Sequence, residues 1–143
     1  MRTRILTFAA QFGITNMKYA ERIQNTRAAL TLAEYARDKG KIGIFRTLAM
    51  NAYWQDNKNL EDKNELRHLA AAAGLDADEA MASLTSIEYL QRVDNLRDEA
   101  NNMGIQGIPT FFIGKEIAVG CQPYQVLADM VSRAGGKKRE PSH

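Results

Sequence analysis

The stretch GIPTFFIGKEIAVGCQP, residues 107–123, decides the fold of this chain. Thr110 to Ile113 and Glu116 to Val119 are rich in β-branched and aromatic residues, which favour strands. Gly114-Lys115 between them is a two-residue turn in which glycine can adopt positive φ. The stretch therefore predicts a β-hairpin. Pro109 stands immediately before its first strand, where it removes one ladder donor.

The rest of the chain has helical spacing. Pro123 opens an amphipathic run that ends at Gly135-Gly136, an arrangement typical of a helix. Upstream, apolar stripes at helical spacing are separated by glycines, and caps are predicted at Thr26, Asp62 and Asp76. We therefore expect six or seven short helices, then the hairpin, then a closing helix. Two of the predicted stripes are Ile5, Phe8, Ala9 and Phe12, and Ile44, Leu48 and Ala52 with their neighbours Phe45 and Met50.

The motifs GIPTF, beginning at Gly107, and GCQPYQVL, beginning at Gly120, resemble the DsbA and FrnE branch of the thioredoxin superfamily. The resemblance is specific from Gly104 to Val131. Segments 24–30, 51–54 and 69–76 are similar to the helical insertion of FrnE-type proteins. The resemblance implies an α+β, mostly helical fold, with a helical insertion layer plus the C-terminal β-hairpin and closing helix of a thioredoxin-like domain. The domains expected are 1–104 helical insertion, 105–136 thioredoxin-like remnant and 137–143 disordered tail.

The resemblance also implies a function, thiol-disulfide oxidoreduction. The family begins with a strand and a Cys-x-x-Cys helix before the insertion, whereas this chain is expected to start at Met1 already inside the insertion. Cys121 is its only cysteine, so the chain can form neither an intrachain disulfide nor the dithiol. We expect a truncated family member that lacks dithiol activity on its own, with no catalytic residue in this chain.

Three residues of this stretch are candidates for a functional site. The resemblance implies that Pro109 is cis and that it holds the backbone of Ile108 open to an extended peptide or thiol substrate, so both are candidate substrate-positioning residues. Cys121 stands where the family usually has a small residue. A lone cysteine there is most often a buried apolar residue, and a reactive thiol is the alternative.

Two other function classes remain open. One is a non-catalytic, homo-oligomeric binding or assembly module that retains the helical layer and hairpin. The other is a relative of 2-hydroxychromene-2-carboxylate isomerase or kappa-class glutathione transferase, a branch in which a serine replaces the first cysteine and which shares the Gly-x-Pro hairpin. The segment from Gly120 to Pro123 fits that branch less well.

Composition excludes several classes. A net charge of +2 is too small to argue for a nucleic-acid partner, and no apolar run approaches the roughly 20 residues that a membrane span needs. His68 and His143 lack partners at metal-ligand spacing, and no nucleotide-binding glycine pattern is present, so neither metal nor cofactor is predicted. The single cysteine and the absence of a signal-peptide core indicate a cytoplasmic protein.

The hairpin predicts a partner as well. In the thioredoxin-like sheet, the strand Thr110 to Ile113 pairs with the second hairpin strand on one side and with the domain's first strand, which this chain lacks, on the other. Its outer edge is therefore expected to be unpaired, and Phe111, Phe112 and Ile113 are expected to leave an uncovered face. We predict a homodimer through this edge, burying on the order of 2,000 Å² or more in total.

Overall fold

The computed structural model describes residues 2–18, 23–137 and 139, and contains seven helices and two strands in that part of the chain. The order is α1 (Arg2–Ala10), α2 (Arg27–Asp38), α3 (Ile42–Trp54), α4 (Lys63–Ala72), α5 (Ala77–Ser83), α6 (Ile87–Asn102), β1 (Thr110–Ile113), β2 (Glu116–Val119) and α7 (Tyr124–Arg133). The predicted mostly helical α+β fold, with its hairpin and closing helix, is confirmed.

The chain divides into two compact units, Met1–Leu96 and Arg97–His143. We call them the helical unit and the hairpin unit. The division falls inside α6, whereas the boundary predicted from sequence follows Gly104 at the end of that helix. Of the predicted tail, Lys138 and residues 140–143 lie outside the described residues.

The helical unit has a continuous apolar core formed by α2, α3, α4 and α5. Leu32, Phe45 and Leu66 are fully buried in it, and alanines fill most of the remaining positions. Small side chains let neighbouring helices approach closely, and full burial of a leucine or phenylalanine stabilises a fold by about 1.5–3 kcal/mol each. This unit therefore contains the main core of the described chain.

Sequence reasoning identified two of the three helix caps correctly. The Asp62 side chain accepts a hydrogen bond from Asn64 N–H, and the Asp76 side chain accepts hydrogen bonds from the two backbone N–H groups of residues 78 and 79. Thr26 precedes α2 but makes no side-chain cap bond. Instead, Asn25 Oδ1 accepts from the N–H of Arg27 at 3.0 Å, so Thr26 holds the predicted N-cap position but does not supply the side-chain bond.

Two predicted apolar stripes were also wrong in part. In α3 the buried residues are Phe45, Ala49 and Ala52, a stripe at i, i+4 and i+7, while Ile44 is half exposed. In α1, Phe8 and the following Phe12 are exposed and contact each other edge to face, with ring centroids 5.2 Å apart. Helical spacing identified the helices, but it did not show which side faces a core.

Helix α6 has no fully buried residue, and it is held to α2 by ion pairs and by Tyr89, which packs edge to face on Tyr35 beside the core. Arg92 binds Asp38 at 2.6 Å, and Arg27 binds Asp94 through both of its terminal nitrogens at 2.6 and 2.8 Å. The guanidinium of Arg92, with the Tyr89 hydroxyl, lowers the pKa of the Asp38 carboxyl below its usual range. These side chains are partly exposed, so they position α6 more than they stabilise the fold.

The hairpin unit is built on the antiparallel pairing of β1 with β2, in which Phe111 lies opposite Ala118 and Phe112 opposite Ile117. Directly opposite residues project to the same face of a sheet. One face therefore presents Phe111, Ala118 and their alternate neighbours, and we call it the inner face. The other, the outer face, presents Thr110, Phe112, Ile117 and Val119.

The inner face is covered by α7. Ala118 on this face and Met130 on α7 are buried, and Glu116 binds Arg133 of α7 through two hydrogen bonds of 2.9 and 2.8 Å. At the hairpin turn, Gly114 has φ +60, and a Cβ there would lie 3.1 Å from the Cβ of Ala134. The turn requires glycine for its positive φ and for this close approach.

Within the described residues, no helix is both long enough and apolar enough to span a lipid bilayer.

Candidate functional site

The candidate site is the loop that leads from α6 into β1. Gly104, with φ +72, ends α6, and the N–H of Ile105 donates to the carbonyl of Ala100 at 3.0 Å across the helix end. A glycine in the left-handed region reverses the chain direction at a helix C-terminus without steric cost. The loop therefore begins at a defined point and direction.

Two hydrogen bonds fix the loop on either side of Ile108. The Thr110 hydroxyl donates to the carbonyl of Gly107 at 2.6 Å, and the N–H of Gly120 donates to the carbonyl of Pro109 at 2.7 Å. The peptide bond between Ile108 and Pro109 is cis. These contacts hold the short segment in one conformation on the hairpin.

Ile108 itself is the most exposed large apolar residue of the described chain, with 90% of its surface accessible. Within the described residues, neither its backbone N–H nor its carbonyl makes a hydrogen bond. A fixed loop that presents an exposed apolar side chain and free backbone groups is suited to pairing with another extended polypeptide segment.

Cys121 follows Gly120, the residue that binds the Pro109 carbonyl, and it is a free, exposed cysteine. The expectation that it is a buried apolar residue was wrong. The reason is local, because Gly120 has φ +83 and the chain leaves β2 at this point toward α7. Beside Cys121, Gln122 Nε2 donates to the carbonyl of Val119 at 2.7 Å and closes the corner.

The outer face of the hairpin forms an open apolar groove. Residues from Met103 to Gly107 and the four outer-face residues line a cavity of about 260 Å³, and none of the lining residues is charged. Phe112, Ile117 and Val119 are 44%, 59% and 56% exposed. Sequence reasoning expected Phe111 and Ile113 to be uncovered as well, but both are partly buried, since they project to the inner face with α7.

One ion pair joins α7 to the hairpin. Its Arg133 guanidinium lowers the pKa of the Glu116 carboxyl below its usual range, chiefly by hydrogen bonding, and the carboxylate in turn raises the pKa of Arg133. Both side chains are about half exposed, so the pair orients α7 on β2.

The aromatic residues of the helical unit differ in how deeply they are buried. Phe45 is buried in the core, while Tyr53 and Trp54 are half buried and pack edge to face with centroids 4.7 Å apart. His68 is exposed. Across residues 2–18, 23–137 and 139, no group of three or more His, Cys, Asp or Glu side chains is placed to hold a metal ion.

Comparison with known proteins identifies the family, because the model of the DSBA-like thioredoxin domain matches residues 1–132. The chain belongs to the family of DSBA-like thioredoxin domains. This agrees with the resemblance that the residues around Pro109 and Gly120 carry.

Two relatives show how much of the family's length this chain spans. It is similar to a 2-hydroxychromene-2-carboxylate isomerase of Sphingobium xenophagum, with 30% identity over 115 residues, 80% of this chain and 53% of that protein. It is also similar in fold to the crystal structure of a probable DsbA oxidoreductase from Streptomyces coelicolor, with a TM-score of 0.79 and 24% identity. That match covers 99% of this chain and 62% of the other. The chain thus spans about half to two thirds of these relatives.

Sequence reasoning located Ile108, Pro109 and Cys121 but missed the groove residues that precede them, from Met103 to Gly107. A signal for the groove was available. In both TFFI and EIAV the residues of the outer face are apolar apart from Thr110, although a sheet with one solvated face alternates apolar with polar residues. That pattern is typical of a strand pair that is covered on both faces.

Proposed function

We propose that this chain supplies the substrate-positioning part of a thiol-disulfide exchange site of the DsbA type. Ile108 and Pro109 would hold an extended peptide, and the reactive thiol pair would come from residues that this chain does not contain. The observation that carries the proposal is the fixed loop in which Ile108 is 90% exposed and its backbone groups are free among the described residues. Membership of the DSBA-like family supports it.

The chain by itself is expected to lack dithiol turnover. In thiol-disulfide exchange, a thiolate attacks a disulfide sulfur, one S–S bond forms, another breaks, and a second thiol must then release the mixed disulfide. The single sulfur of Cys121 can perform the first step but not the release. The proposal therefore assigns binding to this chain and assigns no complete catalytic cycle to it.

The test is binding of an unreactive extended peptide to the 143-residue chain. We expect carboxymethylated insulin B chain, which has no free thiol, to shift the backbone amide resonances of Ile108 and Thr110 in a saturable titration followed by NMR. Ile108→Asp should weaken this binding several-fold. Ile87→Asp is the matched control, because Ile87 is 72% exposed on α6, and it should bind as the unaltered chain does.

A titration that leaves the resonances of the Gly107–Thr110 segment unmoved would refute the substrate-positioning role. An insulin-reduction assay with the same preparation completes the test. Sustained turnover that is lost in Cys121→Ser would show that this chain has a complete thiol mechanism of its own, contrary to the proposal.

A second candidate is the isomerase branch, favoured by the 30% identity to the 2-hydroxychromene-2-carboxylate isomerase of Sphingobium xenophagum. The two candidates differ in the nucleophile expected outside this chain, a Cys-x-x-Cys pair for the oxidoreductase and a serine version for the isomerase. Reading the coding sequence upstream of Met1 discriminates between them. If neither motif is found in frame, the non-catalytic assembly module becomes the better account.

A further inference from the structure

The segment between α6 and β1 has few hydrogen bonds of its own. The N–H of Ile105 is bound at the end of α6, and the carbonyl of Pro109 is bound from the end of β2. Among the described residues, only one hydrogen bond reaches residues 106–108 in between, and it runs from the Thr110 hydroxyl to the carbonyl of Gly107 at 2.6 Å. This three-residue span therefore has one hydrogen-bonded anchor, which is a side chain.

The hydroxyl that makes this bond is positioned by the hairpin. Thr110 is the first residue of β1 and pairs with Val119 of β2, so the strand ladder fixes its backbone. Its half-buried side chain lies on the outer face, and a β-branched side chain has few χ1 rotamers available. The donor is therefore held by the hairpin, independently of the loop.

Val119, the strand partner of Thr110, limits the position of the loop from the same face. A Cβ added to Gly107 would lie 3.4 Å from Cγ1 of Val119, which is close van der Waals contact, and all three residues line the outer-face groove. The open side of Gly107 thus faces Val119 while its carbonyl accepts from Thr110. The loop is therefore fixed at Gly107 by one hydrogen bond and one apolar neighbour.

The hydrogen bond to Gly107 also sets the direction of the Ile108 N–H. The Gly107 carbonyl and the Ile108 N–H belong to the same planar peptide unit, and this peptide is trans. In a trans peptide the C=O and N–H point in opposite directions, so a carbonyl held by the Thr110 hydroxyl directs the N–H away from it. Within the described residues this N–H makes no hydrogen bond. It is therefore oriented and still available to a ligand.

We propose that Thr110 is a positioning residue for the substrate loop, which directs the free N–H of Ile108 away from the hairpin and toward an extended peptide. The hydroxyl proton of Thr110 is bound by the Gly107 carbonyl, so Thr110 acts through that peptide unit and not by touching the substrate. The identity of the ligand rests on the proposed function, whereas the orientation of the loop can be measured without a ligand. The two can therefore fail separately.

Two substitutions at position 110 of the 143-residue chain separate the hydrogen bond from packing. Thr110→Val retains the branched shape but removes the donor, whereas Thr110→Ser retains the donor and removes the methyl group. We expect Thr110→Val to weaken binding of carboxymethylated insulin B chain about three- to tenfold, the equivalent of one neutral hydrogen bond. Thr110→Ser should bind within about twofold of the unaltered chain, because it retains that bond.

Amide relaxation measured by NMR without any peptide tests the orientation directly. In the unaltered chain the order parameter of the Ile108 amide should be about 0.85, the value of rigid backbone, and in Thr110→Val it should fall to about 0.6 or below. Thr110→Ser should keep the higher value. The amides of Phe111 and Ala118, which lie opposite each other in the ladder, should be unaffected in both variants, since the ladder does not use the hydroxyl.

Thr85→Val is the matched control for loss of a hydroxyl. The Thr85 hydroxyl also donates to the carbonyl three residues earlier, that of Ala82 at 3.2 Å, but it lies in the helical unit. This variant should change neither peptide binding nor the order of the Ile108 amide.

Three results would overturn the positioning role. They are unchanged peptide binding in Thr110→Val, an equal loss of binding in Thr110→Ser, and an Ile108 amide that is equally ordered in Thr110→Val and in the unaltered chain. If the unaltered chain binds no peptide, the substrate role fails, and the relaxation comparison alone decides whether Thr110 orients the loop.

Discussion

The helical unit and the hairpin unit bury their apolar residues to very different degrees. Among the described residues, the helical unit has fifteen buried apolar residues in one cluster, whereas the hairpin unit has two, Ala118 and Met130. The helical unit is therefore stabilised mainly by its own core. The hairpin unit covers one face with α7 and leaves the apolar residues of the other face exposed.

The two units also differ in what their ion pairs contribute to the structure. In the helical unit, the ion pairs of Arg27 and Arg92 orient α6 at the side of an existing core. In the hairpin unit, the pair of Glu116 and Arg133 joins β2 to α7 with little buried apolar surface beside it. The same kind of surface contact therefore accounts for a larger share of the structure in the smaller unit.

The largest effect should come from the core of the helical unit. Phe45→Ala removes a side chain that is 1% exposed and should lower the free energy of unfolding by about 3–5 kcal/mol, from lost burial and the cavity left behind. Urea unfolding followed by circular dichroism measures it. Met50→Ala is the control on the same helix, 57% exposed, and should change the free energy by less than about 0.5 kcal/mol. Similar losses in the two variants would contradict the assignment of the core.

A smaller effect is expected in the hairpin unit. Met130→Ala removes one of its two buried apolar residues and should cost about 2 kcal/mol, the low end for such a change, because the surrounding core is small and can collapse. Hydrogen exchange by mass spectrometry should show faster exchange in β1 and β2, with the core of the helical unit unaffected.

Val131→Ala is the matched control, since Val131 is adjacent to Met130 and 42% exposed. It should leave the exchange of both strands within error. Faster exchange throughout α2 to α5 in the Met130 variant would show that the two units unfold together, and the comparison drawn here would then lose its energetic basis.

The sequence predicted the hairpin, both of its strand boundaries and α7, because turn residues, prolines and β-branched runs act locally and occur together there. It also predicted the caps at Asp62 and Asp76 for the same reason. It could not show which side of α3 is buried, since Ile44 and Phe45 are equally apolar and only the packing of α2 and α4 decides between them.

The candidate site, too, could be predicted from the sequence only in part. The position of Pro109 could be predicted because the residues around it carry the family resemblance, but the exposure of Cys121 depends on the path of the chain after β2. The groove forms where the loop after α6 meets the outer face of both strands. The apolar outer-face residues of β1 and β2 are a local signal for it, whereas the contribution of Met103 to Gly107 depends on the path of the loop.

The smallest effect concerns pH and the pair that holds α7 on the hairpin. Hydrogen bonding and the charge of Arg133 lower the pKa of Glu116 in the folded chain. A carboxyl with a lowered folded-state pKa stabilises the fold above its unfolded-state value, about 4.3 for glutamate, and loses that contribution as the pH falls from there through the folded-state value. Unfolding of the hairpin unit should therefore become easier in this acidic range.

Glu116→Gln removes the titrating group while retaining its shape, so hydrogen exchange of β2 and α7 should depend less on pH in this range than it does in the unaltered chain, after correction for intrinsic exchange rates. Asp129→Asn on α7 is the control and should keep most of the dependence, because Asp129 accepts a hydrogen bond from Gln125 and acts on Arg133 through its charge alone. Because the pair is about half exposed, salt should weaken the effect, and a pH dependence that survives Glu116→Gln unchanged would show that other carboxyls control the acid stability of this unit.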